Sequence, residues 1–233
     1  MEQALNAQNH TLLKEKLEKA YTLWKNMPRI GEPTAEPKSV PLDLRSYGIY
    51  ARYADVTFST IESRGIPTNI NEPYKKIKRY VEHLTENVHD GIGLILSVPV
   101  GNMKTTLAVA ILRKYIELYH KGFMVSMSSF LTMIDNNYHF HKVDARIEKI
   151  KNTHLLIIDD LGAEYDHSWV QTQVDAIITE RYNNKLATII TTNLSRDNIK
   201  SRYQQRIYDR LQSTNYLVSF SAKSQRSPLK WES

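Results

Sequence analysis

A lysine and two threonines follow a short apolar segment and begin a helical pattern. Residues 97–106 read SVPVGNMKTT. A phosphate-binding loop needs glycine so that backbone N–H groups can surround phosphate, a lysine for the terminal phosphates and a hydroxyl for Mg²⁺. The start of a helix also favours an anion, through its dipole and its unpaired amides. The segment therefore predicts an ATP site. Its candidate contacts are Gly101, Asn102, Met103, Lys104, Thr105 and Thr106, with Thr105 also a candidate ligand of Mg²⁺.

The loop departs from the usual pattern at two positions. That pattern has glycine where this chain has Val98 and Met103. Met103 is the more serious departure, because a side chain directly before the lysine must fit close to the nucleotide. These two residues leave open a protein that binds nucleotide poorly.

Two carboxylates follow a second apolar segment. Residues 154–160 read HLLIIDD, so Asp159 and Asp160 end a predicted buried strand. The carboxyl end of a parallel strand is where ligands bind in open α/β sheets. Asp159 is the candidate that holds Mg²⁺ through water, and Asp160 is the candidate that polarises the attacking water. The alternative is an ordinary strand ending in a solvated acidic turn, and the phosphate loop upstream favours the catalytic interpretation.

A third buried strand ends in Asn193, within the segment IITTN at 189–193. In a sheet with this order of elements, Asn193 would lie between the first two motifs and could orient water near the γ-phosphate. Alone, a strand that ends in asparagine indicates only a turn.

The elements that must position these residues alternate between strand and helix. The apolar strands lack the polar alternation of a half-exposed sheet, as expected when helices cover both faces. This order predicts an α/β fold with a doubly wound parallel sheet flanked by helices. The predicted strands are 93–97, 123–127, 155–158, 187–192 and 216–220, and the predicted helices are 74–87, 105–120, 128–136 (capped by Ser128 or Ser129), 170–183 and 195–211.

The N-terminal part has a different pattern. Residues 11–26 predict a helix with Leu13, Leu17 and Trp24 on one face. Prolines then interrupt regular structure between residues 28 and 41. We therefore predict a helical partner-docking element at 1–27, a proline-rich linker at 28–50 and an ATPase domain at 51–233. The alternative is an N-terminal arm that packs on its own domain.

Composition narrows the classes of protein. The chain has 233 residues with 41% hydrophobic composition, enough for one substantial core. It contains no cysteine, which excludes disulfide scaffolds and thiolate metal sites. The absence of a long apolar run predicts a protein with no membrane partner and a cytoplasmic location. The formal net charge of +6 fits an anionic partner such as nucleic acid, or simply a basic surface.

These motifs together resemble the AAA+ ATPases of the DnaC/DnaI helicase-loader and IstB transposition-helper family. The resemblance covers about residues 52–226. The matching segments are RYADVTF at 52–58 (the lead-in), GIGLIL at 91–96 (the first strand), DDLGAE at 159–164 (the Walker B segment) and TNL at 192–194 (sensor 1).

The resemblance also implies roles for arginines late in the chain. The segment RIYDRL at 206–211 is similar to the family's arginine-finger helix, which implies that Arg210 reaches the γ-phosphate of a neighbouring subunit in a homo-oligomer. The segment SQRS at 224–227 is similar to sensor 2 and implies that Arg226 contacts nucleotide within its own subunit. The alternative for Arg210 is a surface residue paired with an acid, and Arg206 fits that alternative better.

Aromatic and basic residues cluster between the phosphate-binding loop and the Walker B segment. Bases stack on aromatic rings while lysine and arginine follow the phosphate backbone, which is how single strands are held without sequence preference. The family uses this region to track DNA. The candidate DNA contacts are Ser128, Ser129, Lys142 and Arg146. Each of them could instead be a solvated residue on a core helix.

Three functions remain open from the sequence. The first is an ATP-dependent loader that delivers a replicative helicase to single-stranded DNA, which the short N-terminal helix and linker favour. The second is a transposition helper that remodels duplex DNA and recruits a transposase. The third is a nucleotide-gated DNA-binding scaffold with weak or no hydrolysis.

Overall fold

The computed structural model describes residues 43–97, 103–140, 144–165 and 167–220. The helices in these ranges are Phe58–Ser63 (α1), Asn71–Glu82 (α2), Leu84–His89 (α3), Lys104–Tyr119 (α4), Met127–Phe140 (α5), Ala145–Asn152 (α6), Ser168–Asn183 (α7), Arg196–Arg202 (α8) and Gln205–Thr214 (α9). Short 3-10 helices occupy Leu44–Tyr47, Ala51–Tyr53 and Thr68–Ile70. None of the helices described is long and apolar enough to cross a membrane.

The strands form one parallel sheet, as the sequence predicts. They are Gly93–Ser97 (β1), Phe123–Ser126 (β2), Leu155–Leu161 (β3), Ala187–Thr192 (β4) and Asn215–Ser219 (β5). Their order across the sheet is β2-β3-β4-β1-β5. Every recorded pairing is parallel, so the carboxyl ends of the strands share one edge. Strands β3, β4 and β1 are neighbours, which brings the ends of the three predicted motifs together.

Both faces of the sheet are covered by apolar packing. One cluster contains Leu94 and Ile157 of the sheet together with Ile111 of α4 and Ile77 of α2. The second contains alternate sheet residues, such as Ile158, with side chains of α5, α7 and α9. Burial on both faces explains why the strands are apolar without alternation.

Several predicted boundaries differ from the structure. The predicted helix 74–87 is two helices that meet at His83, and the predicted helix 195–211 is α8 and α9. Neither Ser128 nor Ser129 caps α5, because the helix already begins at Met127. The Ser126 hydroxyl lies at the start of α5 instead, and it accepts a hydrogen bond from the Ser129 amide at 3.2 Å.

The fold also begins before residue 51. Gly48 approaches β2 so closely that a Cβ there would lie 1.9 Å from the Met124 carbonyl oxygen. Ile49 is only 2% exposed and belongs to the first apolar cluster. The last part of the predicted linker 28–50 therefore packs on the α/β fold. The predicted helix 11–26 and the boundary at residue 27 lie outside the described residues.

Candidate functional site

Lys104 is the first residue of α4 and lies beside the end of β4. Its side chain is 6% exposed, and Nζ donates a hydrogen bond to the Asn193 side-chain oxygen at 3.0 Å. Among the residues that the structure describes at the start of α4, the Met103 side chain forms no capping hydrogen bond, and the first turn contains no acidic residue. The first amides of a helix have no partner inside the helix, so this end suits an anion.

Asp159 lies between two threonine hydroxyls. Its Oδ1 accepts hydrogen bonds from Thr105 Oγ1 at 2.8 Å and from Thr191 Oγ1 at 2.5 Å. The carboxylate is 7% exposed. Burial raises the pKa of Asp159 above its ordinary value, while the two hydroxyls act in the opposite direction. The structure thus brings Thr105 and Asp159 together, and it adds Thr191, which the sequence interpretation missed.

Asp160 has a different environment from its neighbour. Its side chain is exposed, and its backbone has a left-handed φ of 56°. The ladder between β3 and β4 is irregular here, with Ile158 opposite Ile190 and Leu161 opposite Thr192. Because of this bulge, the two adjacent carboxylates have different surroundings: that of Asp159 is buried and that of Asp160 is open to solvent.

Met103 also has a left-handed backbone, with φ of 60°. Its side chain is half-buried and packs against the first apolar cluster. The conformation explains why a glycine is usual at this position, since only glycine adopts it without steric cost. The fold thus accommodates the Met103 side chain by packing it against this cluster.

These side chains fit a magnesium–nucleotide complex. Mg²⁺ prefers oxygen ligands, and the Thr105 hydroxyl and the Asp159 carboxylate meet at hydrogen-bond distance. Lys104 supplies a buried positive charge at the adjacent helix start. The candidates Gly101, Asn102 and Arg226 lie outside the described residues.

Glu164 has contacts that the sequence interpretation did not predict. It follows β3 and accepts hydrogen bonds from the Gly162 amide at 2.8 Å and the Tyr203 hydroxyl at 2.5 Å. Arg202 completes the group with an ion pair of 3.7 Å. These contacts tie the segment after the two aspartates to the end of α8. The sequence GAE at 162–164 does not predict a contact with Tyr203 or Arg202.

Arg210 pairs with an acid of its own chain. Its Nη1 lies 3.6 Å from Asp175 Oδ1, and its guanidinium carbon lies 5.8 Å from the centre of the Tyr182 ring. Arg206 binds the same carboxylate more closely, through contacts of 2.6 and 3.1 Å. An ion pair with an acid was the alternative to an arginine finger, and the role of Arg210 in a neighbouring subunit stays a prediction.

The DNA candidates lie on and after α5. Ser128 is exposed, whereas Ser129 is half-buried and its Oγ accepts from the Ser126 hydroxyl at 2.8 Å. The Arg146 side chain is 59% exposed but forms an ion pair with Asp144 at 2.6 Å, and this hydrogen-bonded pair raises the pKa of Arg146. A nucleic-acid phosphate would therefore compete with Asp144 for this guanidinium. Lys142 lies outside the described residues.

The sequence is similar to a family of ATP-binding proteins. A model of the family described as IstB-like ATP binding protein matches residues 72–233. The replicative helicase loader DnaI of Bacillus subtilis (strain 168) is 29% identical over 114 residues, which cover 48% of this chain and 37% of DnaI. The replicative helicase loader DnaC of Escherichia coli (strain K12) is 23% identical over 155 residues, which cover 65% of this chain and 62% of DnaC. The chain thus spans less than two thirds of the length of these curated relatives.

Solved structures share the same architecture. The crystal structure of the DnaC helicase loader superposes with a TM-score of 0.66 at 25% identity and covers 74% of this chain and 100% of that one. The crystal structure of DnaI gives a TM-score of 0.62 at 20% identity, with 74% of this chain and 95% of that one covered. The fold is therefore the AAA+ fold of these loaders, and the chain belongs to the IstB-like ATP-binding family.

Proposed function

We propose that this chain is an ATP-hydrolysing loader that delivers a replicative helicase to single-stranded DNA. The observation that carries the proposal is the meeting of Lys104, Thr105, Asp159 and Asn193 at one edge of the parallel sheet. The similarity to the helicase loaders DnaI and DnaC supports a replicative helicase as the partner.

Each of these residues has a role that its surroundings support. Lys104 and the amides at the start of α4 would bind the phosphates, and Thr105 and Asp159 would hold Mg²⁺, the latter through water. Bound Mg²⁺ neutralises negative charge on the phosphates. The exposed Asp160 carboxylate orients the attacking water and accepts a hydrogen bond from it, and the side-chain amide of Asn193, the residue after β4, orients the same water.

Arg210 completes this site from a neighbouring subunit of a homo-oligomer. To do so it must exchange Asp175 for a phosphate of that neighbour. The exchange leaves Asp175 paired, because Arg206 remains on the Asp175 carboxylate at 2.6 Å. Hydrolysis then depends on assembly, since an arginine supplied in trans neutralises charge in the transition state.

DNA binding follows the exposed side chains at the start of α5 and in α6. Ser128 and Arg146 offer a hydroxyl and a guanidinium to the phosphate backbone, with Ser129 and Lys142 as further contacts. Such contacts release counterions, so the affinity for DNA should fall steeply as the salt concentration rises. An affinity that is independent of salt would contradict this part of the proposal.

A transposition helper that acts on duplex DNA is the second candidate, and the match to the IstB-like family favours it. A scaffold that binds nucleotide without rapid turnover is the third. It is motivated by Val98 and Met103, which replace the usual glycines of the loop.

Hydrolysis of Mg²⁺-ATP, measured with and without a single-stranded oligonucleotide, tests the proposal. The Lys104→Ala variant should lose turnover because it removes the buried positive charge. Lys114→Ala changes an exposed lysine of the same helix and is the matched control. Turnover that both variants retain would contradict the assignment of the phosphate site, and rapid turnover stimulated by DNA would contradict the scaffold.

The partner is tested separately by affinity capture on the full-length chain. A purified replicative helicase and a purified transposase are offered in the presence of ATP. Retention of the helicase alone supports the loader, whereas retention of the transposase alone supports the transposition helper. A duplex oligonucleotide added to the hydrolysis assay gives a second distinction, because only the transposition helper should respond more strongly to duplex DNA.

A further inference from the structure

Thr191 is a buried hydroxyl that serves both aspartates at the end of β3. It is 0% exposed and lies on β4, next to the last residue of that strand. Its Oγ1 donates a hydrogen bond to Asp159 Oδ1 at 2.5 Å and accepts one from the Asp160 amide at 2.9 Å. One hydroxyl therefore uses both its donor and its acceptor capacity on adjacent residues.

The irregular ladder explains why a side chain is needed at this point. Between the pairs Ile158 with Ile190 and Leu161 with Thr192, β3 has two residues where β4 has one. In a β-bulge the extra residue falls out of the regular backbone pairing. The Asp160 amide bonds to the Thr191 hydroxyl, where a regular ladder would have given it a backbone carbonyl.

The same hydrogen bonds set the directions of both carboxylates. Asp159 Oδ1 accepts one hydrogen bond from Thr105 of α4 and another from Thr191 of β4, so two directions define its position. Asp160 has a left-handed φ of 56°, which is disfavoured for a residue with a side chain and persists only when the surroundings support it. The Thr191 hydroxyl is one such support.

We propose that Thr191 is a positioning residue for ATP hydrolysis, which holds the Asp159 carboxylate against Thr105 and keeps the Asp160 side chain directed to solvent at the sheet edge. This inference rests on the proposed ATPase function. Thr191 acts through the two aspartates and does not itself contact the reacting atoms.

Three variants separate the hydroxyl from the shape of the side chain. Thr191→Val keeps the shape and the β-branching but removes the hydroxyl, whereas Thr191→Ser keeps the hydroxyl. Thr188→Val is the matched control, because Thr188 is also a buried threonine of β4. Its hydroxyl accepts from Arg181 Nε at 2.8 Å, away from the two aspartates.

The first measurement needs no nucleotide. Amide hydrogen exchange of Asp160, followed by NMR on the full-length chain, reports directly on the hydrogen bond to Thr191. Thr191→Val should speed this exchange about tenfold, the effect of losing one hydrogen bond. Thr191→Ser and Thr188→Val should leave the exchange rate of Asp160 within about threefold of wild type.

The second measurement compares binding with turnover. Thr191→Val should lower the rate constant for hydrolysis about 10- to 100-fold, as expected when a buried carboxylate loses a donor. The dissociation constant for a fluorescent ATP analogue should change less than about threefold, because phosphate binding depends on Lys104 and the α4 amides. Thr191→Ser should recover most of the rate.

Two results would overturn the inference. One is wild-type exchange at Asp160 together with wild-type turnover in Thr191→Val. The other is a Thr191→Ser variant as impaired as Thr191→Val, which would indicate packing and not the hydroxyl. If the wild-type chain itself hydrolyses no ATP, the proposed function fails, and the positioning role in hydrolysis fails with it even if the Asp160 exchange behaves as expected.

Discussion

Substitutions of Met103 test whether its left-handed backbone conformation lowers the stability of the fold. Its left-handed φ of 60° costs a residue with a Cβ about 1–2 kcal/mol. Its half-buried side chain contributes about 1 kcal/mol, roughly half of what complete burial of a methionine gives. Met103→Ala removes the packing and keeps the strain, so it should destabilise the fold by about 1 kcal/mol.

Met103→Gly removes both the packing and the strain. Glycine adds an entropic cost of about 0.5–1 kcal/mol in the unfolded chain. The losses and the relief of strain nearly cancel, so this variant should be within about 1 kcal/mol of wild type and more stable than Met103→Ala by about 0.5–1 kcal/mol. Urea unfolding followed by circular dichroism measures the difference, provided that the slopes of the transitions are equal.

Lys114 supplies the control, since it is exposed in the middle of the same helix. At this position alanine should be more stable than glycine by about 1 kcal/mol, the reverse of the order expected at Met103. A Met103→Ala variant as stable as Met103→Gly, or more stable, would refute the strain argument. Binding of a fluorescent ATP analogue should differ less than about threefold between the two Met103 variants, because the side chain packs against the apolar cluster.

Three further changes test other parts of the protein. Arg210→Ala should lower ATP turnover of the assembled protein at least about a thousandfold, and Arg206→Ala should have a much smaller effect. Equal losses of steady-state turnover in the two variants would contradict a role of Arg210 in the neighbouring subunit. Arg181→Met should lower the free energy of unfolding in urea by about 1–3 kcal/mol, the cost of leaving a buried acceptor without its hydrogen bond. The Arg181 guanidinium, whose pKa burial lowers to about 9, donates to the Ala187 carbonyl and to the carbonyls at the end of α6. Burial raises the pKa of Asp159, so the nucleotide-free folded chain keeps the carboxyl proton to higher pH than the unfolded chain. Protonation of Asp159 therefore stabilises the folded chain. This stabilisation is complete below pH 3.8 and is lost as the pH rises through the raised pKa. Melting temperatures of Asp159→Asn should therefore fall less over that interval than those of the wild type, and identical pH profiles would count against this account.

The meeting of the main site residues was predictable because it follows from topology. Lys104, Asp159 and Asn193 each stand at the carboxyl end of a buried strand, or at the start of the helix after it. In a parallel sheet these ends share one edge, so their proximity needs no knowledge of side-chain packing. The contact between Lys104 and Asn193 at 3.0 Å agrees with that expectation.

Residues whose role depends on local irregularity were not predictable. Thr191 reads as one more polar residue near a strand end, and its hydrogen bonds exist because β3 bulges opposite it. The break between α2 and α3 at His83, where φ is −114° and ψ is 32°, and the hydrogen bond from the Ser129 amide to the Ser126 hydroxyl are local features that the apolar pattern does not show. The contacts of Glu164 with α8 likewise join residues that are far apart in the chain.

The order of the apolar segments was sufficient to specify the parallel sheet. The positions of Lys104, Thr105 and Asp159 were sufficient to specify the sheet edge at which these side chains meet, because that edge depends on the direction of the strands. Three-dimensional packing was needed for the rest. It sets the left-handed backbone of Met103 and Asp160, and it pairs Arg210 with Asp175. Such features arise from the balance of burial, strain and hydrogen bonding between segments distant in the chain, which no local pattern of residues encodes.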